Sequence, residues 1–178
     1  MNNLADRCKK IKMLITDVDG VLTDAGMYYS ENGDELKKFC TLDGAGLMLL
    51  RLIGIKTGII TGEQTELVEH RAQKLQVDFV FQNVKNKRKV LDELCQQEDL
   101  LSTEVAYMGD DINDIEIIQA VGVSGTVPNN FLPAGISVDY TTTRSGGAGA
   151  VREFCEWLLQ QRNEYDKALS NYLLSISQ

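Results

Sequence analysis

The chain has 178 residues, 43% of them hydrophobic and 25% charged, with a formal net charge of −8. That length and mix fit one globular domain and exclude global disorder. The acidity argues against nucleic acid or an anionic membrane as partner, so a phosphate ligand would need a local cation to draw it in.

The opening segment MNNLADRCKKIK carries charge with no signal-type apolar run behind it, and no stretch is long enough to cross a bilayer. Cys8, Cys40, Cys95 and Cys155 form no CxxC pair. They read as reduced thiols, several of them buried, in a cytoplasmic protein. Short apolar runs then alternate with helical patterns. Lys12 to Thr16 reads as a buried strand. Residues 26–39 (GMYYSENGDELKKF) read as a hairpin turning at Asn32-Gly33. Gly44 to Ile53 is predicted helical, Lys56 to Ile60 a strand, Glu63 to Leu75 an amphipathic helix and Val77 to Phe81 a strand. A helix over Asn86 to Gln96, a strand over Val105 to Met108 and a helix over Asp114 to Val121 follow. Short strands are expected over Gly122 to Val127 and Ile136 to Tyr140. Val151, Phe154, Cys155, Leu158 and Leu159 make an apolar helical stripe, and a helical tail covers about residues 161–178.

This alternation predicts an α/β fold: a Rossmann-like, doubly wound, mostly parallel sheet with a β-hairpin flap. Sites in such sheets lie beyond the carboxyl ends of the strands. Asp17 and Asp19 follow the first strand, and Thr61-Gly62 the second. Lys87 follows the third, and Asp110-Asp111 the fourth. Asp17 and Asp19 share one side of an extended segment. Two such carboxylates crowd their charges together, which is relieved when one holds a proton or a cation sits between them. Hard oxygen donors in a sparse acidic cluster suit Mg²⁺, which also attracts phosphate. Thr61 and Gly62 offer a hydroxyl and N–H groups at an expected helix N-terminus, and Lys87 a positive charge. Each piece alone is commonplace: a DxD is usually a turn, and Lys87 sits among other basic residues. Their arrival at four consecutive strand ends points to phosphoryl transfer on a carboxylate.

The ordered set Asp17-Val-Asp19-Gly20, Thr61-Gly62, Lys87 and GDDIND (109–114) resembles the haloacid dehalogenase superfamily of phosphohydrolases. DVDGVLTDAGMYYSENGDELKKF and RSGGAG (144–149) are similar to the 3-deoxy-manno-octulosonate 8-phosphate phosphatases, over about residues 11–160. The resemblance implies that Asp17 is the nucleophile and Asp19 the acid/base. It implies Mg²⁺ held by Asp17, the carbonyl of Asp19 and Asp110, with Asp111 close by. It further implies that Thr61, Gly62 and Lys87 bind phosphate, and that Asn113 and Asp114 shape the last loop. The intervals from Asp19 to Thr61 and from Thr61 to Lys87 leave no room for a cap domain. The resemblance implies a homotetramer whose hairpins assemble, with a neighbouring subunit covering the pocket.

One departure concerns specificity. Octulosonate phosphatases usually carry arginine directly after the Thr-Gly, where this chain has Glu63. Glu63 with Lys74 looks more like phosphatases of nine-carbon 2-keto-3-deoxy sugar acids. Arg71, Lys74 or Arg144 would meet the substrate carboxylate. The competing expectation is a receiver-type signalling domain phosphorylated on Asp. Asp19 discriminates: a second carboxylate serves turnover, whereas a signalling domain needs a long-lived phosphoaspartate.

Overall fold

In the computed structural model, which describes residues 3–33 and 35–177, the chain opens with α1 (Leu4–Lys10) and β1 (Met13–Thr16). A two-stranded antiparallel flap follows, β2 (Tyr28–Tyr29) and β3 (Glu35–Leu36), then α2 (Thr41–Arg51), β4 (Lys56–Ile60), α3 (Glu66–Leu75) and β5 (Phe79–Phe81). The second half holds α4 (Lys87–Gln97), β6 (Val105–Met108), α5 (Ile115–Ile118), β7 (Val123–Thr126), β8 (Tyr140–Thr141), α6 (Ala150–Gln161) and α7 (Tyr165–Ser175). Asp34, inside the expected hairpin, lies outside the described residues.

The main sheet has the order β5-β4-β1-β6-β7-β8, and every pair is parallel. β1 is central and buried at each of its residues, as a strand covered on both faces should be. Alternation divides the core. Leu14, Ala106 and Met108 face the layer built by α2 and α6 with Leu47, Leu50, Phe154 and Leu158. Met13, Ile15, Val105 and Tyr107 face the other layer, with Leu91 and Leu94 of α4 and Ile117 of α5. α2 packs closely on α6 because Gly46 has no side chain: a Cβ there would stand 2.9 Å from the Cα of Arg152.

The chain moves outward from β1 through β4 to β5, then crosses to β6 on the other side of β1. The switch point therefore lies between the ends of β1 and β6, where a parallel sheet opens its crevice. Among the described residues the two long inserts hold only the flap with α2, and α3 with β5. Among the described residues no cap covers the crevice.

Several expected boundaries move. α3 begins at Glu66 rather than Glu63, because the Thr65 side chain caps it by accepting from Leu67 N–H. Thr61 and Gly62 therefore sit in a loop ahead of the helix and not at its N-terminus. The strand expected over 136–140 shrinks to Tyr140–Thr141, since Pro133 and left-handed Gly135 shape a loop before it. α1 was not anticipated. Its Cys8 and the following Ile11 are buried against the α6 side of the sheet.

Candidate active site

β1 ends by delivering Asp17, whose N–H continues the ladder to the carbonyl of Met108. Gly20, at φ +92°, then turns the chain back; a Cβ here would stand 2.1 Å from Oδ2 of Asp110. Only glycine at this turn lets Asp110, arriving from β6, close on the loop after β1.

Lys87 is the first residue of α4, placed there by the Asn86 cap, and its side chain is 1% exposed. Its ammonium donates to Oδ2 of Asp17 at 2.8 Å and to Oδ1 of Asp114 at 2.6 Å, with the Tyr107 hydroxyl at 3.3 Å. Tyr107 donates to the same Asp114 oxygen at 2.6 Å. The other Asp114 oxygen accepts from the N–H groups of Asp110 and Asp111, at 2.8 and 3.2 Å. Asp114 is therefore fully committed to holding Lys87 and the loop after β6. It lies within ligand-cluster distance of Asp17 and Asp110 but has no spare oxygen. Asp17 accepts from Val18 N–H at 2.7 Å. Oδ1 of Asp110 is buried and has no hydrogen-bond partner.

The electrostatics follow from this burial. Desolvation pushes Asp17 up to about 6 against the opposing pull of Lys87, with the charge of Asp114 adding to the rise. Desolvation, then the charges of Asp17, Asp114 and Asp111, push Asp110 up to about 7. Burial alone would lower Lys87, but Asp17 and Asp114 outweigh it and hold the ammonium charged. Four carboxylates around one buried ammonium leave the site short of positive charge.

Asp19, Thr61, Gly62, Glu63, Asp110, Asp111 and Asn113 line one open cavity of about 320 Å³ with Asp17, Ala25 and Phe131. The cations expected to meet a substrate carboxylate do not reach it. Arg71 donates to the carbonyl of Cys40 at 2.7 Å and lies over the Phe39 ring, so it braces the base of the flap. Lys74 faces a separate depression along α3 with Glu66, Glu69, His70 and Gln73. Arg144 sits beside Leu42, Arg152 and Glu153. Glu63 pairs not with Lys74 but with Lys37 of the flap, at 3.0 Å.

Three residues at the site escaped sequence reasoning. Lys37 belongs to an alternating run, Glu35, Lys37, Phe39, whose faces could have been assigned; the Thr23–Phe39 bridge that seats the run beside β1 is tertiary. Tyr107 is a polar-tipped residue in a strand buried throughout, which signals a hidden partner. Phe131 is 76% exposed at the cavity rim, and its N–H is tied to the carbonyl of Asp110 at 2.7 Å.

A parallel sheet whose strand ends converge on buried carboxylates and one sealed lysine defines a phosphoryl-handling site. Residues 16–127 match the haloacid dehalogenase-like hydrolase family. The chain is 37% identical to the 3-deoxy-D-manno-octulosonate 8-phosphate phosphatase of Escherichia coli, over 91% of this chain and 86% of that one. It superposes on the Moraxella catarrhalis 3-deoxy-D-manno-octulosonate 8-phosphate phosphatase, solved with magnesium ion, phosphate ion and KDO. The TM-score is 0.89 at 35% identity, covering 97% of this chain and 99% of that one. The cobalt-bound Haemophilus influenzae deoxy-D-mannose-octulosonate 8-phosphate phosphatase aligns at TM-score 0.86 and 30% identity, covering 94% and 99%. The chain belongs to the haloacid dehalogenase-like hydrolases, in the phosphatase branch these relatives represent.

Proposed function

We propose that this chain is a Mg²⁺-dependent phosphomonoester hydrolase that removes phosphate from a 2-keto-3-deoxy sugar acid phosphate through an aspartyl phosphate on Asp17. The observation that carries this reading is the sealed Asp17–Lys87–Asp114 array beside an Asp110 oxygen with no partner. A buried carboxylate oxygen without a donor is costly unless a cation takes it. The donor set fits Mg²⁺: hard oxygens from Asp17, Asp110 and the backbone carbonyl of Asp19, at a site open enough for water and phosphate. When bound, the cation neutralises charge on the phosphoryl oxygens and offsets the repulsion between Asp17 and Asp110.

This chain's own residues supply the rest. Lys87 and Thr61, with the Gly62 loop, hold the phosphoryl oxygens. An Asp17 oxygen attacks phosphorus as the phosphorus–sugar oxygen bond breaks, and protonated Asp19 gives its proton to the departing oxygen. Asp19, now a carboxylate, takes a proton from water, which hydrolyses the aspartyl phosphate and frees Asp17. Asp114 keeps Lys87 charged and in place, while Asp111 and Asn113 border the pocket.

The substrates that fit are 3-deoxy-D-manno-octulosonate 8-phosphate and nine-carbon analogues; the relatives' names support the first and Glu63 the second. Among the described residues of one chain no free cation lines the pocket for a substrate carboxylate, which supports a homotetramer in which a neighbour supplies one. Tyr28, Tyr29 and Leu36 on the flap are 46%, 65% and 62% exposed, an apolar surface suited to flap-to-flap assembly. Four unpaired thiols support a cytoplasmic setting. The test is phosphate release from eight- and nine-carbon substrates with Mg²⁺, repeated with Glu63→Arg. A shift of preference toward eight carbons is expected. An unchanged preference would remove Glu63 from specificity, and no release from either ester would overturn the function.

A further inference from the structure

Lys37 lies just beyond β3, where the flap returns to the sheet. Its side chain is fully enclosed although its backbone remains partly exposed. The ammonium donates to Oδ1 of Asp19 at 2.7 Å and to Oε2 of Glu63 at 3.0 Å, with Glu35 at 3.8 Å and Sδ of Met27 at 3.7 Å. Asp19 also accepts from the Thr23 hydroxyl at 3.2 Å. One cation thus joins three segments: the loop after β1, the flap, and the loop after β4. An exposed lysine pair would contribute little. Here the lysine is enclosed while Asp19 and Glu63 are 29% and 50% exposed, so the contribution of the contact is geometric: it fixes one Asp19 oxygen and occupies Glu63 at the pocket entrance.

Two consequences follow for an anionic substrate. A bare Glu63 at the mouth would repel a sugar acid, whereas Glu63 neutralised by Lys37 acts as a hydrogen-bond acceptor for a sugar hydroxyl. Asp19, held on one oxygen by Lys37 and Thr23, keeps its other oxygen free to exchange a proton with the departing sugar oxygen. We propose that Lys37 is a positioning residue of the phosphatase: it orients Asp19 for proton transfer and cancels the charge of Glu63 so that an anionic sugar can enter. The proposal rests on the phosphatase reading above.

The test compares kcat/KM for the sugar acid phosphate and for p-nitrophenyl phosphate, with Mg²⁺, in wild type, Lys37→Met and Lys37→Arg. This ratio reports only steps up to departure of the leaving group. p-Nitrophenolate leaves without a proton, and its ester carries no carboxylate. Lys37→Met should lose about 100-fold or more on the sugar ester but less than about fivefold on the aryl ester, as loss of acid catalysis requires. Lys37→Arg should keep most of the sugar activity. Adding Glu63→Gln to Lys37→Met should bring the sugar KM back toward wild type. Equal losses on both esters would mark Lys37 as merely structural and overturn the proposal, as would an unchanged sugar kcat/KM. Wild-type protein inactive on both esters would instead overturn the phosphatase reading itself.

Discussion

Lys87 and Asp114 form an ion pair at 2.6 Å in which the two side chains are 1% and 0% exposed. They come from different elements, α4 and the turn after β6, so the pair locks the site across the sheet edge. Removing one member of a sealed pair leaves the other charge without its counterion. Asp114→Asn should therefore cost about 3 kcal/mol, the low end for a broken buried pair because Asp17 still contacts Lys87. It should also lower phosphatase activity, since the lysine is no longer held. Urea denaturation and phosphate release check both. A variant as stable and active as wild type would show that Asp114 holds nothing in place.

Asp110 makes the opposite prediction. Its Oδ1 is buried without a partner, among the charges of Asp17, Asp114 and Asp111. Without metal, that carboxylate is a liability to the fold. Asp110→Asn should raise the metal-free melting temperature by about 2–4 °C, the equivalent of about 1 kcal/mol in a chain of this size. It should also abolish the further rise that Mg²⁺ gives wild type. Thermal melts with and without Mg²⁺ decide it. A variant less stable than metal-free wild type, or one that keeps the full Mg²⁺ response, would contradict the assignment of Asp110 as a metal ligand.

Asp43, which does not line the cavity, should make stability depend on pH. It lies in the first turn of α2, where Oδ1 accepts from Arg152 N–H at 3.0 Å and Oδ2 is buried without a partner. Burial pushes its carboxyl up to about 6, against the pull of the Arg152 N–H and the Arg71 charge. The folded state therefore holds this proton more tightly than the unfolded chain does, whose ordinary value is about 3.9. The contribution of Asp43 to stability is full below about pH 4 and is lost as pH rises through about 6. Asp43→Asn cannot lose a proton. Relative to wild type, it should gain about 2 kcal/mol between pH 4.5 and 7. Chemical denaturation of both proteins at the two pH values measures this. A stability difference that does not change with pH would refute it.

The convergence of these residues on one sheet edge was legible because the motifs follow strands whose apolar runs stand out locally. Lys56–Ile60 and Val105–Met108 form with the boundaries expected from sequence. Asp17, Thr61, Lys87 and Asp110 then share one edge by topology alone. What stayed hidden depends on tertiary contact. Lys37 reaches Asp19 only because Thr23 bridges Phe39 and folds the flap back over the loop. Arg71 lies on the expected helix, but its guanidinium is taken by the carbonyl of Cys40, a partner no local pattern announces. The expected start of α3 falls too early because Glu63 and Gln64 are good helix formers, while the true cap is Thr65. The resemblance gave Asp114 a part in shaping the last loop; that it also holds Lys87 emerges only from its two oxygens, one taken by Lys87 and Tyr107 and the other by backbone N–H groups.

The central claim is that Asp17, beside Lys87 and a Mg²⁺ site, carries the phosphoryl group. The most direct measurement is phosphate release from 3-deoxy-D-manno-octulosonate 8-phosphate and its nine-carbon analogue by wild type and Asp17→Asn. Wild type should release phosphate from at least one of them, stop when Mg²⁺ is chelated, and lose at least about 10³-fold in the variant, as removal of a nucleophile requires. Release that persists in Asp17→Asn, or that ignores chelation, would contradict it.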